Sequence, residues 1–95
     1  MNVSKKINQK REDILRIARK YGAKNLRLFG SVSRGEKKTN DVDILVKMER
    51  SRSLLDIIAL KQDLEDLLGC PVDVVTENSI SPYLKDEIFK EAVNL

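Results

Sequence analysis

An α/β fold, a small mixed β-sheet with helices packed against it, follows from three features of this chain. Apolar runs of strand length stand at 26–29, 41–48 and 72–76. Segments of helical periodicity lie before, between and after them, most strongly over 54–68. Glycine, serine or proline punctuates the junctions, where a chain that alternates strands and helices must turn. The expected order is α-β-(turn)-β-α-β-α, in one domain spanning residues 1–95.

Taken in order, Val3, Ile7, Ile14, Ile17, Ala18 and Tyr21 recur at helical spacing, with Ser4 as a candidate cap and Gly22 as a terminator. Lys10, Arg11, Arg16, Arg19 and Lys20 of that segment are expected to face solvent. Leu26 and Leu28 alternate with Arg27 and Phe29 in a first strand, which Gly30-Ser31 breaks. The stretch 30–40 is too polar for a core and has room for a short helical turn over 31–34. A second strand begins at Asp41, and its Ile44-Leu45-Val46 interior reads as buried on both faces. Ser51 or Ser53 can cap the next helix, whose Leu54, Leu55, Ile57, Ile58, Leu60, Leu64, Leu67 and Leu68 form a broad apolar face. Gly69 and Pro71 end that helix, and Val72 opens a third strand. Ser79 or Ser81 with Pro82 marks the entry to a last helix containing Leu84, Ile88, Phe89, Ala92 and Val93.

Composition narrows the chemistry. A chain with 41% apolar and 35% charged residues is ordinary for a soluble globular protein and argues against disorder. The formal charge of +3 and pI near 9.1 are mild, and Lys and Arg alternate with Asp and Glu, so nucleic acid is not expected as a direct ligand. With no histidine, histidine-based catalysis and zinc sites that use histidine are excluded. The lone Cys70 rules out an internal disulfide and reads as a small, partly buried side chain in a reducing compartment. No apolar run reaches membrane-spanning length and nothing at the start resembles a signal peptide, so a cytoplasmic protein is expected.

The stretch 29–46 concentrates the chemistry. It opens with Phe29-Gly30-Ser31 and closes with Asp41-Val42-Asp43 at the head of an apolar strand. A strand has a side-chain period of two, so Asp41 and Asp43 project from one face. Two carboxylates so placed repel unless a cation sits between them. A third acid, Asp73, lies within another apolar run, where a bare buried charge is costly. Three acids on two strands beside a Gly-Ser turn read as a divalent-metal site next to a phosphate site.

Gly30-Ser31, Arg34-Gly35, Asp41-Val42-Asp43 and, beyond an intervening helix, Asp73 resemble the nucleotidyltransferase superfamily typified by DNA polymerase beta. The short Gly-Ser-x-x-Arg-Gly form is most similar to the minimal nucleotidyltransferases, the antitoxins paired with HEPN-domain toxins. The resemblance runs from the first strand to the last helix. It implies that Ser31 and backbone N–H groups after Gly30 hold the β- and γ-phosphates of ATP, with Arg34 as a phosphate or structural contact and Lys37 and Lys38 as weaker candidates. It implies that Asp41 and Asp43 ligate Mg2+, that Asp73 completes a two-metal site and that the three acids are catalytic. Asn40 stands where this family often has a serine, and either residue can bond to the local backbone. The implied reaction is transfer of AMP from ATP to a hydroxyl of the partner toxin, with a tyrosine as the expected acceptor, within a hetero-oligomer. Two other functions fit the same resemblance: an antitoxin that neutralises by binding alone, and the catalytic subunit of a small-molecule or RNA nucleotidyltransferase with a separate substrate-binding subunit.

Overall fold

The computed structural model describes residues 3–30 and 41–95. Two helices come first, α1 (Val3–Gln9) and α2 (Arg11–Lys20), followed by the antiparallel strands β1 (Ala23–Phe29) and β2 (Val42–Met48). Helix α3 (Leu54–Leu68) crosses to β3 (Val72–Thr76), which pairs parallel to β2. A 3₁₀ turn at Glu77–Ser79 leads into α4 (Pro82–Glu91), and β4 (Val93–Asn94) closes the chain on the free edge of β1. The sheet order is β3-β2-β1-β4. This is the mixed sheet with flanking helices that the sequence predicts.

Three boundaries differ from the periodic reading. The first helical segment is broken at Lys10, and α1 begins at Val3, so Ser4 lies inside the helix rather than capping it. Periodicity misses this break because Ile7 and Ile14, seven residues apart, stay on the buried side whether or not the axis bends between them. The last helix stops at Glu91; Ala92 is extended (ψ 137°) and Val93 pairs with Leu28 as a strand. The edge of β1 offers unpaired backbone groups there, and pairing satisfies them where one more helical turn would not. The first strand starts at Ala23, three residues earlier than its apolar run. The expected turn over 31–34, with Lys37, Lys38 and Asn40, lies outside the described residues.

One core lies between the sheet and the α1–α3 layer. Val42, Ile44 and Val46 supply the sheet side, and Ile7, Ile14, Leu60, Leu64 and Leu68 the helix side, all inaccessible or nearly so. Leu45 alternates to the opposite face and is equally buried, so β2 is covered on both sides as expected of a central strand. Within α3, Leu60, Leu64 and Leu68 are core, whereas Leu54, Leu55 and Ile58 are exposed. The apolar face is therefore narrower than its composition.

Local chemistry fixes where α3 begins and ends, and with it the start of β3. The Ser53 backbone N–H donates to the Asp56 carboxylate at 3.0 Å, capping the N-terminus. Gly69 takes the left-handed conformation at φ +69°, and its N–H bonds the Glu65 carbonyl at 2.8 Å. No basic residue occupies the last turn of α3; Lys10 supplies one from outside, its Nζ donating to the Leu67 carbonyl at 3.2 Å. The Glu65 side chain then accepts from the Val72 N–H at 3.0 Å. The Val42 N–H bonds the Pro71 carbonyl at 3.0 Å, so the heads of β2 and β3 are pinned side by side.

Candidate active site

Strand register brings the acids together. In the parallel pair, Val42 lies opposite Val72, Asp43 opposite Asp73 and Ile44 opposite Val74. Directly paired residues share a face, across strands spaced by about 4.8 Å. Val42 and Val72 point into the core at 0% exposure, so Asp43 and Asp73 point to the other face. Asp41 precedes β2 by one residue, is exposed, and shares their side by the period of two. Across the other edge of β2, Phe29 is the register partner of Asp43. The end of β1 and the heads of β2 and β3 therefore meet at one end of the sheet, on the face away from the main core.

The three carboxylates are coupled through charge. The Asp43 carboxyl is pushed up from its ordinary 3.8, first by burial, then by the Asp73 charge and a hydrogen bond with Asp73, and last by the Asp41 charge. A proton shared between Asp43 and Asp73 relieves their repulsion; a cation would relieve it better. Among the described residues no three acidic or thiol side chains form a ready-made metal cage. The strand register aligns Asp43 and Asp73, while Asp41 is linked to Asp43 through charge alone. The donor set, hard carboxylate oxygens with neither nitrogen nor sulfur, suits Mg2+ in kind, since that ion keeps some of its water and needs few protein ligands.

Gly30 ends β1 at φ +73°, directly beside Asp43. Ser31 and Arg34, the other residues expected at the phosphates, lie outside the described residues. A cleft of about 440 Å3, lined in part by Lys47, Arg50, Arg52, Ile57 and Thr76, opens at the far ends of β2 and β3. It is separated from the acids by the length of both strands and is not their pocket. Among the described residues no helix is long and apolar enough to cross a membrane.

Arg27 is the residue the sequence reading passed over. It pairs with Leu45 and so shares the face of the acids, one strand repeat behind Phe29. Its Nε donates to Asn94 at 3.3 Å, its guanidinium lies 3.6 Å from Glu77, and it sits 5.0 Å from the centroid of the Phe89 ring. These contacts fasten α4 and the chain end across the acid-bearing face. Alternation with Leu26 and Leu28 was the available signal, since it puts Arg27 on the same side as Phe29.

Similarity to known proteins agrees with this geometry. The pattern of the nucleotidyltransferase domain family matches residues 7–95. A Methanocaldococcus jannaschii protein, provisionally named a protein adenylyltransferase, is 49% identical over 90 residues, which is 94% of this chain and 97% of that one. A solved structure provisionally described as a minimal nucleotidyltransferase superposes with a TM-score of 0.89 at 41% identity, covering 100% of this chain and 97% of the other. A crystal structure of a toxin–antitoxin with AMP-PNP aligns with a TM-score of 0.73 at 27% identity, covering 87% of this chain and 69% of that one. A sheet that gathers acids at one end, a family pattern across nearly the whole sequence and close structural likeness converge, and the chain belongs to the nucleotidyltransferase domain family, among its minimal members.

Proposed function

We propose that this chain is a Mg2+-dependent protein adenylyltransferase that moves AMP from ATP to a tyrosine hydroxyl of a HEPN-type toxin and thereby acts as its antitoxin. The observation that carries the reading is the pairing of Asp43 with Asp73, with Asp41 on the same side. Names and descriptions of the relatives support the rest: one is provisionally named a protein adenylyltransferase, and another was solved as a toxin–antitoxin with AMP-PNP.

Each residue has a role in this proposal. Asp41 and Asp43 would hold Mg2+ against the triphosphate, and Asp73 would complete the set and orient the attacking hydroxyl. When bound, the metal supplies positive charge at the phosphates and eases ionisation of that hydroxyl. Gly30, Ser31 and Arg34 would bind the phosphates through backbone N–H groups and side chains. The hydroxyl gives up its proton, with Asp73 as the candidate acceptor, its oxygen forms a bond to the α-phosphorus, the bond from that phosphorus to the bridging oxygen breaks, and pyrophosphate leaves with the electron pair.

The experiment is intact-mass measurement of a HEPN-type toxin after incubation with this chain, ATP and Mg2+. An Asp41→Ala, Asp43→Ala control runs beside it. A mass gain of one or more AMP units, absent in the control, is expected. No gain, with a complex that still forms and silences the partner, overturns catalysis and leaves inhibition by contact.

A further inference from the structure

Gly30 and Asp43 compete for one volume. Gly30 follows Phe29, whose register partner is Asp43. An L side chain at position 30 would place its β-carbon 2.5 Å from Asp43 Oδ2 and 3.4 Å from the carboxylate carbon. The first distance is shorter than any tolerated contact between such atoms, so the carboxylate fills space that a β-carbon would need. On its other side Asp43 faces Asp73, its register partner on β3. The carboxylate is thus wedged between a bare α-carbon and its paired acid. Its escape from a methyl group would be a rotation of its own short side chain, which the fold can tolerate but a ligand geometry cannot.

We propose that Gly30 is a positioning residue for the Asp43 carboxylate: its missing side chain holds Oδ2 against the end of β1, aimed into the space shared with Asp41 and Asp73. This rests on the reading of Asp43 as a cation ligand. It assigns Gly30 a task separate from the close approach of backbone to phosphate. Two demands meet at this glycine, a left-handed φ of +73° and an empty place on the Asp43 side. L-alanine violates both. D-alanine accepts positive φ and carries its methyl group on the other side of the α-carbon.

Total synthesis can separate the two demands, because Cys70 offers a ligation point within a chain of 95 residues. The readout is Mn2+ affinity without nucleotide, by electron paramagnetic resonance or calorimetry, with ATP affinity measured separately. Gly30→Ala is expected to weaken Mn2+ binding at least about tenfold, the scale on which residues supporting metal ligands act, while Gly30→D-Ala stays close to the parent protein. Equal damage from both residues, or a loss confined to ATP affinity, overturns the proposal. A second readout needs no metal: melting temperatures of Gly30→Ala, Asp43→Ala and the double variant. The Gly30→Ala loss is expected to shrink once the carboxylate is gone; additive losses overturn the proposal. If the parent protein binds no Mn2+, the cation reading of Asp43 fails, and the melting cycle alone decides the role of Gly30.

Discussion

Arg27→Ala should loosen α4 from the sheet and lower the melting temperature by about 8–16 °C, taking roughly 4–8 °C per kcal/mol for a domain of this size. The cation–π contact with Phe89 at 5.0 Å, partly desolvated, contributes about 1 kcal/mol. The bond from Nε to Asn94, long at 3.3 Å but made by a charged donor, adds about 1 kcal/mol. The ion pair with Glu77 at 3.6 Å joins side chains 27% and 22% exposed, so screening leaves about 0.5 kcal/mol. Against these, one guanidinium NH2 is out of water without a hydrogen-bond acceptor, which costs part of the gain and brings the net to about 2 kcal/mol. Arg27→Met keeps the apolar stem over the sheet and removes the unsatisfied nitrogen, so it should cost less than Arg27→Ala. Thermal melts give the magnitude. Hydrogen exchange gives the location: amides of 82–91 should exchange faster while those of 54–68 do not. An Arg27→Ala protein melting within 2 °C of the parent (about the smallest shift that would count here), or exchange accelerated uniformly, would refute the idea that this side chain is the fastener.

Other outcomes follow from the same contacts. The Asp43 carboxyl is held above its unfolded value near 3.8, first by burial and then by Asp73, so the metal-free native state binds the proton more tightly than the unfolded chain does. Its ionisation costs stability as pH rises from 3.8 through the folded pKa. Asp43→Asn should therefore make the metal-free protein more stable than the parent near neutrality, converging below 3.8, while transfer activity is lost; a destabilised Asp43→Asn protein at neutral pH would contradict this. Leu64→Ala removes a side chain at 0% exposure from the centre of the core and should cost about 2–5 kcal/mol in urea unfolding; under 1 kcal/mol (well below the usual range) would mean the core is not packed here. The Tyr21 phenol donates to Asp63 at 2.6 Å and is held above its ordinary 10.0 by that bond first. In a Tyr83→Phe background, ultraviolet titration should show Asp63→Asn lowering it; no change would break that assignment.

Legibility in the sequence followed the length and regularity of each element. Helix α3 was readable to the residue, because fifteen positions with strong periodicity lie between a serine cap and a left-handed glycine. Strand β3 was equally plain, bounded by Pro71 and by the polar Glu77-Asn78-Ser79. The break at Lys10 left the hydrophobic period intact and so left no trace. Strand β4 is two residues long, and its pairing is decided by the edge of β1 rather than by its own composition. Asp41 and Asp43 announced themselves through their spacing. That Asp73 stands opposite Asp43, rather than one residue off, depends on the Val42 and Glu65 hydrogen bonds at the strand heads, which periodicity does not encode. The wedge between Gly30 and Asp43 is likewise a matter of three-dimensional contact, although the glycine itself was singled out.

The parallel pairing of β2 with β3 also governs when the acids come together. Asp41 and Asp43 emerge from synthesis before the helix and strand that carry Asp73. The pair therefore exists in the growing chain without its third member until the whole crossover has folded back. Among the described residues β3 is an edge strand with β2 as its one neighbour, and the bonds of Val42 to Pro71 and of Val72 to Glu65 anchor it at the end that carries Asp73. The third acid thus depends on the helical crossover and the parallel pairing of β3, whereas Asp41 and Asp43 depend on the head of β2 alone.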